Sequence, residues 1–397
     1  MCGNKNQIKN KFLMVATVAS MIGQFNMDNI YILLDMGYEV HVACNFKDLS
    51  VWTEERINKF RCELSELGVK QIQIEFARTP YDFPKLLKSY RTLRRIIKSE
   101  QYEGLHCHTP VAGMIARIAA LNTKTKVIYT AHGFHFYKGA PIKNWLVFYP
   151  VEKICSYMTD TLITINKEDY TLARKKMHAK NTEYVPGVGI DSRKFKICFK
   201  TGQIREKLGI PQDAKLILSV GELNENKNHE SVIRALADIP EVKAGKIYYA
   251  IAGQGVFENR LKNVIKELGL VGKVILLGFR SNVAELYDAA DIYAFPSFRE
   301  GLSVALMEAM ASGLPVVCSK IRGNTDLIDD SSGGYLFSPD NIQDIRNKTQ
   351  QMLNLSYEEL RMKGNYNFEK IKKFDKAVVE CEINKLYTRT FRGDRVE

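Results

Sequence analysis

At 397 residues the chain is long enough for two domains, and its 45% hydrophobic and 26% charged residues are those of an ordinary soluble globular protein. Eight scattered cysteines without a CxxC pair point to reduced thiols in the cytoplasm rather than a disulfide scaffold, and no apolar run approaches the ~20 residues of a membrane span. The net charge of +12 is confined to one half. Residues 1–200 carry 30 Lys and Arg against 18 Asp and Glu, whereas residues 201–397 carry 27 of each. That imbalance implies an anionic partner for the first half: nucleic acid, an anionic membrane surface or a phosphorylated substrate.

In chain order, Phe12–Ala19 reads as a strand rather than a signal core, since no cleavage site follows and the chain runs into a glycine-containing turn at Gly23. Further strands are expected at "YEVHVAC", "KQIQIEFA", "GLHCHTP", "KVIYTAHG" and "TLITI", with helical patterns between several of them, as in Asn26–Met36 and Phe83–Lys98. Alternation of this kind predicts a parallel sheet covered by helices. The stretch "VPGVGIDSRKF" reads as a linker, after which the alternation restarts with "KLILSVGEL", "KIYYAIAGQG", "KVILLGF", "DIYAFPS" and "LPVVCSK". Two doubly wound α/β domains are the simplest account. Ligands of such sheets bind beyond the carboxyl ends of the strands, where this chain places Gly23, His106, His108, His132, Gly221, Lys227, Gly253, Gly255 and Glu300.

Several motifs have competing readings. "GQGVFENR" follows a strand, but the third glycine of a dinucleotide fingerprint falls on Glu258, so a tight turn is the better reading. Lys227, in a polar loop before a helix, is placed to reach a phosphate; the Walker pattern is absent. His106 and His108 point to one side of a strand, as metal ligands would, but lack companion ligands and read as polar groups at a cleft mouth. His132, at a strand end before Gly133, suits hydrogen bonding or proton handling. In "DFPKLLKSYRTLRRIIKSE", an apolar stripe is flanked by Lys85, Lys88, Arg91, Arg94, Arg95 and Lys98. It reads either as a helix packed on its own domain or as a membrane-surface helix beside an acceptor site. No nucleic-acid-binding signature accompanies the basic charge.

The C-terminal half, from "SVGELNENKNH" through "FREGLSVALMEAMASGLPVV" to "GGYLF", resembles glycosyltransferase family four, the retaining sugar transferases with the GT-B fold. "HCHTPVAGMIARIAA" and "YTAHGFHF" are similar to members that build bacterial capsule, exopolysaccharide and lipid-linked oligosaccharides. The resemblance implies two Rossmann-like domains facing a cleft. The acceptor-binding domain would take residues 1–190 plus a crossover helix 375–397, and the nucleotide-sugar domain residues 191–374. Glu300 and Glu308 match the family's E-x7-E pair. Glu308 would clasp the donor ribose, and Glu300 and His132 would meet the sugar. The backbone of Gly301, Leu302, Ser303 and Val304, with Lys227 and the Gly23 turn, would hold the diphosphate, and Arg280 would mark the base.

One departure is Glu222, where many members carry Arg. The function implied is transfer of an N-acetylhexosamine or other sugar from a UDP-sugar to a polyprenyl-diphosphate-linked saccharide, without a cofactor or metal. The enzyme would be peripheral on the inner face of the cell membrane, with no nucleic-acid partner. Alternatives are an epimerase or hydrolase of the same fold, and a non-catalytic membrane-associated assembly subunit.

Overall fold

The computed structural model describes residues 10–195 and 201–393. These fall into two compact units, Met1–Val188 with Val379–Glu397, and Gly189–Val378. The first holds seven strands: β1 (Lys11–Val18), β2 (Glu39–Asn45), β3 (Lys70–Gln73), β4 (Gly104–His108), β5 (Lys126–Ala131), β6 (Thr161–Thr164) and β7 (Asn181–Tyr184). All pair in parallel, in the order β3-β2-β1-β4-β5-β6-β7.

The apolar run of β1 has a direct cause. Phe12, Met14 and Ala16 enter the core on one face of the sheet, while Leu13 and Val15 enter the core on the other. A strand covered on both faces needs apolar residues at successive positions rather than alternate ones. The helix Lys376–Arg392 then closes one face of this unit. Its Val379, Ile383, Leu386, Tyr387 and Phe391 join the Phe12 core, with the Phe391 and Phe12 rings 5.2 Å apart in an edge-on contact.

The second unit repeats the plan with β8 (Lys215–Val220), β9 (Ile247–Ala252), β10 (Val274–Gly278), β11 (Ile292–Phe295), β12 (Val316–Ser319) and β13 (Gly334–Phe337). Its order is β10-β9-β8-β11-β12-β13, again parallel. Both sheets are therefore doubly wound. Each reverses its strand order once, at β1/β4 and at β8/β11, and such a reversal leaves a crevice beyond the strand ends.

One expectation is corrected, and of the two readings of the basic helix the packing on its own domain is observed. Gly23 is not in a turn: it lies inside the helix Ala19–Phe25, where a Cβ would collide with the Trp52 ring, so the glycine makes room for packing rather than presenting amides to a ligand. The helix Phe83–Glu100 turns its stripe inward: Leu93 and Ile97 are buried, and Leu86, Tyr90 and Ile96 pack on the same core. Most of its apolar face is thus occupied by its own unit, while Leu87 remains 49% exposed.

Candidate functional site

In the second unit, the loops that follow β8 and β11 meet where the strand order reverses. They are stitched together by backbone and side chain: Phe298 N donates to the Asn226 carbonyl (2.8 Å), and Asn226 Nδ2 to the Arg299 carbonyl (2.9 Å). Asn228 Nδ2 adds a bond to the Pro296 carbonyl (3.2 Å) from a left-handed backbone conformation that asparagine tolerates. This lacing brings together residues 73 positions apart: Lys227 Nζ donates to Glu300 Oε1 at 2.7 Å. The lysine stem lies along Gly221, and its ammonium sits 5.0 Å from the Phe295 ring centroid. Behind this loop, a Cβ on Gly253 or Gly255 would strike the Gly221 or Leu223 carbonyl. The "GQG" glycines therefore serve close backbone approach, not a dinucleotide.

Glu300 is on the loop, where its carbonyl accepts from Arg322 Nε (3.2 Å), and Glu308 is the fifth residue of the helix Val304–Ala311. Ser303 caps that helix, its hydroxyl accepting from Leu306 N (3.3 Å). The helix amino end, with Gly301 and Leu302 before it, thus lies beside the Lys227–Glu300 pair and carries partial positive charge. Tyr287 donates its hydroxyl to Glu308 Oε2 (3.0 Å). Burial raises the Glu308 pKa, and the Tyr287 hydrogen bond partly offsets that rise. Arg280 is exposed on the turn after β10, beside an equally exposed Phe279, and Glu222 is exposed as well.

In the first unit, the end of β4 and the loop after β5 carry a histidine cluster. His106 is fully buried, bonded to the Tyr387 hydroxyl and to Thr130 Oγ1, both at 2.7 Å; it is a core residue rather than a polar group at a cleft mouth. His108 Nδ1 and His132 Nε2 lie 3.1 Å apart, so one donates to the other, and His108 Nε2 faces Met14 Sδ. The loop carrying His132 is fixed by Phe134 N, which donates to Asp169 Oδ2 (3.0 Å). Burial lowers the His132 pKa to about 4 and holds that of His108 well below its ordinary value, so both are neutral at pH 7. They line a cavity with Asn26, Asn29, Val188 and Glu380. At the β1/β4 reversal, Thr109 has φ 67°, rare for a β-branched residue, and its hydroxyl lies 2.7 Å from that of Thr17.

Of the basic residues expected to face a membrane, Lys85, Lys88, Arg91 and Arg95 are exposed, with Lys85 3.4 Å from Asp82 and Lys88 3.7 Å from Glu75. Arg94 is not available for that role: it turns back to cap the helix Pro110–Ala120 through the Ala119 carbonyl (2.7 Å) and that of Leu121. Sequence reasoning missed Tyr287, Phe295 and His229. His229 is buried behind Lys227 facing the Gly221–Glu222 backbone, and burial followed by the nearby lysine lowers its pKa to about 3. The "KNH" triplet was the only available signal. Among the described residues no group of three or more His, Cys, Asp or Glu is placed to hold a metal ion, and no helix is long and apolar enough to cross a membrane.

Comparison with known proteins gives the family and the fold. Residues 200–370 match the model of glycosyl transferases group 1, and residues 15–166 that of the glycosyl transferase 4-like family. The chain is 37% identical to a putative glycosyltransferase, EpsD, of Bacillus subtilis, over 82% of this chain and 83% of that protein. It is 29% identical to an Escherichia coli UDP-Gal:alpha-D-GlcNAc-diphosphoundecaprenol alpha-1,3-galactosyltransferase, over 76% and 81% of the two chains. Among solved structures, Anabaena HepE in complex with UDP superposes with a TM-score of 0.74 at 20% identity, covering 95% of this chain and 99% of that one. Sucrose-phosphate synthase of Thermosynechococcus elongatus superposes at 0.78 with 18% identity, covering 97% and 100%. At those identities the likeness is one of fold.

Proposed function

Because the chain belongs to the group 1 glycosyltransferases, family-four type with the GT-B fold, we propose that it moves a sugar, an N-acetylhexosamine or another hexose, from a UDP-sugar to a polyprenyl-diphosphate-linked saccharide in capsule or exopolysaccharide synthesis, retaining the anomeric configuration. The observation that carries the donor half is the convergence of Lys227, Glu300, Glu308 and a helix amino end at the β8/β11 reversal. The acceptor half rests on the diphosphoundecaprenol-linked substrate named for the Escherichia coli relative.

Glycosyl transfer must stabilise a departing nucleoside diphosphate and an electron-poor anomeric carbon. Lys227 Nζ and the amides of Gly301–Val304 supply positive charge for the diphosphate without a metal. Glu308, held by Tyr287, accepts both ribose hydroxyls, a natural use of a two-oxygen acceptor. Glu300 accepts from hydroxyls of the sugar, and Arg280 marks the position of the base. In the first unit, His132 is neutral and lines a cavity beside His108, so a hydrogen bond it offers there adds no cation. The basic residues Lys85, Lys88, Arg91 and Arg95 favour an anionic membrane surface, where a polyprenyl acceptor resides.

The test is a set of UDP-sugars with and without a polyprenyl-diphosphate-linked acceptor, the product being followed by mass and its anomeric configuration by NMR. Product that forms only with acceptor supports transfer; acceptor-independent UDP release or sugar isomerisation identifies a hydrolase or an epimerase. Lys227→Ala and Glu308→Ala are expected to abolish transfer while the fold persists, and full activity in both would refute the site.

A further inference from the structure

A row of polar side chains crosses one face of the first sheet inside an otherwise apolar core. Met14 on β1 lies opposite His106 on β4, and His108, two residues on, lies opposite Thr130 on β5. Residues two apart on a strand share a face, and His132 follows Thr130 by two. Met14, His106, His108 and Thr130 are buried, and Tyr387 of the helix Lys376–Arg392 reaches the row through His106. Each member donates, accepts or does both, so the ends of the row set the direction of every hydrogen bond within it.

One end is Met14. A thioether sulfur accepts and never donates, so its 3.2 Å contact with His108 Nε2 is a hydrogen bond only when that nitrogen carries the proton. The other tautomer would set lone pair against lone pair in a buried site. A neutral imidazole protonated at Nε2 has a bare Nδ1, so His108 Nδ1 accepts from His132 Nε2 across 3.1 Å. That leaves His132 Nδ1 bare. The other end is Tyr387, fully buried, its hydroxyl 2.7 Å from His106 Nδ1. The phenol proton has an acceptor only when that nitrogen is bare, and a buried donor without a partner is the costly case. His106 Nε2 then donates to Thr130 Oγ1 (2.7 Å), leaving the threonine's own proton for a group in the cavity that Thr130 and His132 both line.

We propose that Met14 with His108, and Tyr387 with His106, are positioning residues that give two cavity groups opposite polarity: His132 Nδ1 accepts and Thr130 Oγ1 donates. The bond that His132 offers is thus an acceptor's. The ligand this pair selects is a neutral hydroxyl, which supplies one proton and one lone pair. A phosphate or carboxylate oxygen would turn a lone pair on the bare nitrogen, and an ammonium would meet the threonine proton. The cavity, about 30 Å³, has room for one such group rather than a sugar ring. That the hydroxyl belongs to the donor sugar or to the acceptor saccharide rests on the transferase reading; the direction of the hydrogen bonds does not.

The test is tautomer assignment in the full chain by long-range proton–nitrogen correlation NMR of its seven histidines, identified through single His→Gln variants. Without substrate at neutral pH, His106, His108 and His132 should each be protonated at Nε2 alone. Met14→Leu keeps the core volume but removes the acceptor, so His132 should shift toward protonation at Nδ1. Tyr387→Phe should loosen the tautomer of His106 in the same way. Transfer by Met14→Leu should lose about fivefold in kcat/KM, the worth of one misdirected hydrogen bond. Singly deoxygenated UDP-sugars and singly deoxygenated acceptors separate the two sources of the hydroxyl. Removing the recognised group should cost about fivefold in the parent and little in Met14→Leu. His132 protonated at Nδ1 in the parent overturns the proposal, and that spectrum decides even where a core variant fails to fold. Tautomers unmoved by Met14→Leu and Tyr387→Phe overturn it too, as do deoxygenation losses equal in parent and variant. A parent with the expected tautomers that transfers no sugar refutes the functional reading and leaves the positioning standing.

Discussion

Neutralising Glu300 should make the protein bind free UDP more tightly while it transfers sugar less well. Lys227 Nζ and Glu300 Oε1 are 2.7 Å apart, with the two side chains 20% and 14% exposed. At that separation an effective dielectric of about 40–80 gives a gross attraction of ~1.5–3 kcal/mol, of which side-chain ordering and residual solvent screening leave about 1 kcal/mol. A nucleotide diphosphate has to draw Lys227 away from this carboxylate and tolerate its charge nearby. In Glu300→Gln the amide neither competes for the ammonium nor repels phosphate, so the Kd for UDP should fall about fivefold. Transfer should fall because the carboxylate that accepts from the sugar has been weakened. In a Lys227→Met background the same change should tighten UDP far less, because its effect acts through the lysine. Titration calorimetry of the parent, both single variants and the double variant measures all four corners of the cycle. Weaker or unchanged UDP binding in Glu300→Gln, or an equal gain in both backgrounds, would refute the competition.

The elevated pKa of Glu308 means that its carboxylate is lost on acidification earlier than that of an ordinary glutamate, so the donor KM should rise as pH falls through that value. Removing the Tyr287 hydroxyl in Tyr287→Phe should shift this acid limb upward, a change seen as a displaced pH profile of KM. His106 and His132 have folded pKa values lowered to about 3 and about 4, below the ordinary 6.5. Their stabilising contribution, and that of His108, whose pKa burial also lowers, is therefore complete above pH 6.5 and is lost as pH falls toward their folded values; the thermal midpoint should decline across that window, less steeply in His108→Leu. Glu222→Arg, at an exposed position, should leave the midpoint unchanged and tighten UDP about threefold, with a stronger salt dependence.

Much of the architecture was legible because a buried parallel sheet leaves continuous apolar runs, and β1, β5, β8 and β9 read off directly. The short edge strands β7 and β13 escaped, since "NTEY" is polar and "GYLF" follows closely on glycines. Gly23 shows a different limit. A turn glycine and a packing glycine look alike in sequence, and the difference is made by Trp52, far along the chain. The stripe of Phe83–Glu100 could not be assigned to core or bilayer, because either environment accepts it. The helix Ile142–Ser156 gave no amphipathic pattern at all: "IKNWLVFYPV" is apolar on both sides, one facing the core through Trp145 and Phe148 and the other facing outward. Glu300 and Glu308 were visible as a pair by motif. The partners that define their chemistry, Lys227 for one and Tyr287 for the other, follow only from how the loops are stitched and the helices packed.

Those two partners explain why the carboxylates, though close in sequence, do different work. Glu300 is paired with a cation and partly open to water, so a competing anion can release it; the charge it then frees is available to the sugar that arrives with that anion. Among the described residues Glu308 has no cation in contact, its side chain meets a phenol, and burial already penalises its charge. Such a carboxylate gains most from neutral hydroxyl donors, which relieve the desolvation cost without forming a competing ion pair. A ribose offers two of them. The same strand reversal therefore holds one acid tuned by a neighbouring charge and one tuned by burial, and on the proposed reading Lys227 would couple diphosphate binding to the release of Glu300.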